Sequence, residues 1–88
     1  LGGLRVSEDP GERARAYLGT VEKDLEGTKA GNNPEVLKVI DYVKRYMADC
    51  RYFLETGKPT TALASIAYTE GLLDSLSILG LTQPSRPE

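Results

Sequence analysis

The sequence predicts an all-α fold, a three-helix antiparallel bundle running up-down-up, with a tight hairpin between helices 2 and 3. Three observations carry this reading. Apolar residues recur at helical spacing through three separate stretches, with no strand-like alternation. Each stretch opens on a proline, at Pro10, Pro34 and Pro59, where the missing N–H would have had no intrahelical partner in any case. Between the second and third stretches only Gly57 and Lys58 intervene, and so short a joint forces its two helices antiparallel.

Helix 1 is expected to start near Pro10, with Ser7 or Asp9 placed to cap it. Ala14, Tyr17, Leu18, Val21 and Leu25 form a stripe about 100° wide, so this helix touches the core on one side only. The run from Gly27 to Asn33 ends it and makes the longest internal connection. Asn33-Pro34 then restarts the chain, a capping side chain followed by proline at the first helical position. Helix 2 is expected to reach about Thr56. Its apolar face is Val36, Val39, Ile40, Val43, Met47, Cys50 and Leu54, widened on one flank by Tyr42, Tyr46 and Phe53. Lys38, Asp41, Lys44, Arg45, Arg51 and Glu55 fall on the opposite, solvated side. Gly57 suits the left-handed conformation that ends a helix, which glycine adopts without steric penalty.

Helix 3, about Pro59 to Leu79, differs in kind. Its apolar residues point in nearly all directions, and both other helices must pack on it to cover them, with some left over. That excess favours a homodimer or another protein partner. Equal rise along an antiparallel pair places residues whose numbers sum to about 115 at one height. Tyr46 then lies level with Glu70, and Arg45 with Gly71. A glycine inside a helix costs roughly 1 kcal/mol relative to alanine, so Gly71 is expected to mark a close approach of the two helices.

The domain is assigned to residues 9–81. Residues 1–8 are expected to be disordered or left over from cloning, and 82–88 to form a disordered, proline-containing tail. Acids number 13 against 11 bases, a net charge of −2, which leaves no electrostatic footprint for nucleic acid. No stretch is long and apolar enough to span a bilayer. The single cysteine, Cys50, cannot form an internal disulfide and is placed as a small buried hydrophobe, which suits a cytoplasmic protein. Histidine is absent, as are phosphate-binding, nucleophile-elbow and paired-cysteine motifs, so no metal, cofactor or enzymatic activity is expected.

The polar residues set among apolar ones are the candidate ligand-binding group: Tyr42, Arg45, Tyr46, Asp49, Tyr68, Glu70 and Asp74. Glu70 and Asp74 share a helical face, where like charges repel by a few tenths of a kcal/mol. They are expected to lie near Tyr42, Arg45 and Tyr46, and to bind a cation, an amine or a guanidinium, to pair with Arg45 and Lys38, or to face water. Asp49 is placed to pair with Arg45 four residues away, or to accept from the hydroxyls of Tyr42, Tyr46 or Tyr68.

From Tyr46 to Leu81 the chain carries Ala48-Asp49, Tyr52-Phe53-Leu54, Gly57, Ala62 and Tyr68-Thr-Glu-Gly-Leu-Leu-Asp74. In this it resembles a family of small archaeal proteins, domain of unknown function 357, over about Tyr17 to Leu81. The chain departs from that pattern at Lys58, where an acidic cap is usual, and at Cys50, where alanine is usual. The resemblance implies a compact helical bundle and brings no activity with it. Two readings of function remain. One is an interaction module, self-associating or docking on a larger protein through helix 3 and the tyrosine flank of helix 2. The other is a ligand-binding or accessory enzyme domain using the acidic and tyrosine residues as a pocket.

Overall fold

The computed structural model describes residues 8–28 and 31–82. The expectations for residues 1–7 and 83–88, and Ser7 as a cap, lie outside the described residues. Three helices follow in order, α1 (Pro10–Gly27), α2 (Pro34–Glu55) and α3 (Pro59–Ile78), and no strand occurs among the described residues.

The helix ends follow from local chemistry. Asp9 caps α1, its Oδ1 accepting from the N–H groups of Gly11 at 2.8 Å and Glu12 at 3.3 Å. Asn33 caps α2 in the same way, accepting from Glu35 at 2.9 Å and Val36 at 3.2 Å. Each satisfies N–H groups that no helical carbonyl can reach. Lys58 stands at the cap of α3 and makes no side-chain bond there. At its other end, α2 closes through Gly57 at φ 76°. The Lys58 N–H donates to the Phe53 carbonyl at 2.7 Å and the Gly57 N–H to Leu54 at 3.4 Å, the paired bonds of a Schellman turn. The same arrangement ends α3 at Gly80, φ 74°, with Leu81 donating to Leu76 and Gly80 to Ser77. By contrast α1 does not stop at Gly27, which is its last helical residue. Thr28 terminates it, its N–H donating to Leu25 and its hydroxyl to Asp24.

α3 is the middle element, packed along both α1 and α2, which meet each other far less. Two close contacts fix the directions. A Cβ on Gly11 would lie 3.5 Å from Pro59 Cβ, so α1 and α3 start together and run parallel. Tyr46 meets Tyr68 edge to face, ring centroids 5.2 Å apart, so α2 runs back along α3 close to the expected register. The core is Ala14 and Val21 from α1, Val36, Val43, Met47 and Cys50 from α2, and Ala62, Ile66, Leu73 and Leu76 from α3. Thr69 completes the α3 stripe, fully buried, its hydroxyl donating to the Ile66 carbonyl at 2.6 Å.

Gly71 corrects an expectation. It is exposed, and a Cβ there would meet nothing within 4 Å. It lies on the side of α3 turned away from the core, so α2 does not approach it. The glycine at a close helix contact is Gly11, buried beside Pro59.

Candidate functional site

On α3 the buried residues Ala62, Ile66, Thr69, Leu73 and Leu76 are spaced four, three, four and three apart and make a single stripe. The opposite side holds Thr60, Ala64, Ala67, Tyr68, Gly71, Ser75 and Ile78, all exposed. This outer side spans about a third of the helix circumference at the 3.6-residue period, and the charge nearest it is Asp74, half-buried just beyond Ala67 on the edge toward α1. Ile78 is 83% exposed and Tyr68 56%. The Ser75 hydroxyl donates back to the Gly71 carbonyl at 2.9 Å, so its polarity is satisfied within the helix.

The Tyr46–Tyr68 contact carries this surface onto α2. Tyr46 and Phe53 are half-buried along that edge, and Tyr42 and Asp49 are exposed beside them. Arg45 is engaged on its own helix. Its guanidinium pairs with Asp41 at 3.0 Å and lies 5.7 Å from the centroid of the Tyr42 ring. The expected Arg45–Asp49 pair is therefore replaced by Arg45–Asp41. Asp49 and the hydroxyls of Tyr42, Tyr46 and Tyr68 make no hydrogen bond to one another, and along this edge α2 meets α3 through the Tyr46–Tyr68 ring contact.

The seven candidate residues fall into two groups. Tyr42, Arg45, Tyr46, Asp49 and Tyr68 share the α2 side of α3. Glu70 lies two residues past Tyr68, about 160° around the helix, and Asp74 follows it one turn on. Both are half-buried on the flank that faces α1, and neither pairs with Arg45 or Lys38. The placement near Tyr42, Arg45 and Tyr46 is thus not realised, because α3 itself stands between the two groups. No set of three or more His, Cys, Asp or Glu residues is placed to hold a metal ion among the described residues.

Asp24 on α1 is a buried polar residue outside the candidate group. Its signal was its place in the Ala14, Tyr17, Val21, Asp24 spacing. Behind α3, α1 and α2 leave an open groove of about 410 Å³ lined by Glu22, Leu25, Glu26 and Met47, spanned by the Arg51–Glu22 ion pair. Cys50 is fully buried in the core. Burial pushes its thiol pKa up, and the nearby Arg51 opposes this only partly.

Among the described residues no helix is long and apolar enough to cross a membrane. The family described as "Protein of unknown function (DUF357)" matches residues 13–82. No curated protein and no solved structure matches the chain.

Proposed function

The chain belongs to the DUF357 family, and on that premise we propose that it is an interaction module. It docks on another polypeptide through the outer side of α3 and the adjoining tyrosine flank of α2. The observation behind this reading is that the helix on which the whole fold is built leaves an uncharged third of its surface uncovered. A helix apolar nearly all round is normally buried all round. Protein interface centres are depleted in charge and enriched in aromatic residues such as tyrosine, and Tyr42, Tyr46 and Tyr68 border this one. The alternative of a ligand pocket draws no support from residues divided between two flanks of α3.

The test is to introduce charge at the centre of the face. Ala67→Arg adds a cation at an exposed position, so helical circular dichroism and melting temperature should match the parent chain. Association, whether with itself or with a captured protein, should be lost. An Ala67→Arg chain that associates as the parent does would refute the assignment of the face.

A further inference from the structure

Resting on the interaction reading above, we infer that the occupant of the α3 face is a second copy of the chain. The two α3 helices lie antiparallel, with Gly71 on the two-fold axis. Three features of the face select this occupant.

The first is Gly71. Glycine inside a helix costs roughly 1 kcal/mol relative to alanine, and no contact within the chain offsets this, since a Cβ there would sit in open space. A second helix crossing at this point does offset it. Without a Cβ, two backbones can come closer than the usual helix separation of about 8–10 Å. On a two-fold axis one glycine serves both helices. Gly19 on α1 is exposed with open space around it as well. Its neighbours on that side are Glu12, Arg15, Lys23 and Glu26, charges that a docking helix would have to desolvate. At the same offsets Gly71 has Ala64, Ala67, Ser75 and Ile78, and the one charge beside it, Asp74, is half-buried at the edge toward α1.

The second feature is the symmetry of the stripe. An antiparallel copy centred on Gly71 sets Ala67 opposite Ser75 of the other copy, and Ala64 opposite its Ile78. Small residues therefore meet at the crossing, and the large side chain fills the space over an alanine further out. Ser75 can enter such a contact without losing a hydrogen bond, because its hydroxyl already donates to Gly71.

The third is charge. Lys38, Tyr42, Arg45 and Asp49 lie along one stripe of α2, four, three and four residues apart, and all are exposed. The Tyr46–Tyr68 contact places Gly71 level with about Val43, near the middle of that stripe. The two-fold then brings Lys38 of each copy to the height of Asp49 of the other. Opposite charges meet at both ends of the rim, an arrangement that fixes register and orientation more than it adds affinity. A parallel pairing sets the α2 flank against α1 and loses this match. Closed two-fold dimers with one self-complementary patch are the commonest assemblies of soluble chains.

The test is the solution mass of the full chain, 9.6 kDa per copy, by light scattering over a range of concentrations. Twice that mass is expected at high concentration, falling to the single-copy mass on dilution, with Ala67→Arg single at every concentration. Lys38→Asp and Asp49→Lys should each weaken the dimer several-fold, and the two together should restore it. Register is read by oxidative cross-linking in a Cys50→Ala background. Gly71→Cys should link copy to copy, whereas Ile78→Cys should not, because its two sulfurs would lie roughly 21 Å apart along the helices. Efficient linking at Ile78→Cys overturns the antiparallel register. A single-copy mass at all concentrations overturns the second copy as occupant. If that single chain captures a different protein only while Ala67 is unchanged, the docking face stands and its occupant is another chain. If Ala67→Arg alters neither mass nor capture, both inferences fall.

Discussion

The inner and outer sides of α3 are both free of charge, yet they differ in bulk. Inward point Ala62, Ile66, Thr69, Leu73 and Leu76, all buried, and the larger ones fill the space between α1 and α2. Outward point Thr60, Ala64, Ala67, Tyr68, Gly71, Ser75 and Ile78, all exposed, small along the centre and large only at the Tyr68 edge and the Ile78 end. Hydrophobicity alone does not tell these sides apart. Side-chain volume does, because a packed interior is filled by large groups that interlock, and loses contacts wherever one is cut back.

Substitutions on either side turn this contrast into measurements. The largest effect is expected inside. Ile66→Ala at a fully buried position should lower unfolding free energy by about 2–5 kcal/mol, read from urea or thermal unfolding. A loss under 1 kcal/mol would mean that the inner stripe is not the packed one. Next comes the junction of α1 with α3. Gly11→Val places a Cβ 3.3 Å from the Asp9 carboxylate oxygen and 3.5 Å from Pro59 Cβ, and should cost about 1–3 kcal/mol through crowding. The outer glycine should behave in the opposite sense. Gly71→Ala meets no atom of its own chain and should stabilise the dilute chain by up to about 1 kcal/mol. A destabilised Gly71→Ala chain would return Gly71 to the interior.

Smaller again is the uncapped start of α3. Lys58→Asp supplies a side-chain acceptor where none is bonded and places negative charge at a helix N-terminus, worth roughly 0.5–1 kcal/mol of added stability. Last comes a pH effect from the α2 side of the core. The folded Cys50 thiol is held above its ordinary pKa, chiefly by burial, while in the unfolded chain it titrates near 8.5. Below that pH both states hold the proton and Cys50 adds no pH dependence. Above it the unfolded chain loses its proton first, so stability should fall as pH rises toward the folded value. Urea midpoints from neutral to alkaline pH should show this fall, and Cys50→Ala should remove that part of it.

The fold was legible because its signals are local. Proline at each helix start, Asn33 and Gly57 need only their own backbone neighbours to act, and the structure keeps all of them. The apolar face of α2 was equally plain, since Val36, Val43, Met47 and Cys50 repeat at one angle. Residues whose role depends on the rotation of one helix against another were harder to place. Glu70 was expected near Tyr46 from height alone. Height along an antiparallel pair does not state which side of the helix a residue occupies. The spacing of Ala62, Ile66, Thr69, Leu73 and Leu76 did contain that angle, once Thr69 is admitted to the buried stripe despite its hydroxyl. Gly71 was misplaced for the same reason. Arg45 had acids four residues away on either side, and sequence spacing alone could not choose Asp41 over Asp49.

The weak contact between α1 and α2 bears on how the chain can be handled. Both helices are held through α3, so the connection from Thr28 to Asn33 joins two elements whose mutual fit hardly depends on its length. Lengthening such a loop adds only closure entropy, roughly 0.6 kcal/mol for each doubling. Gly31 and Asn32 are exposed there. A flexible peptide tag inserted between them would add a reporter while leaving the outer side of α3 unaltered.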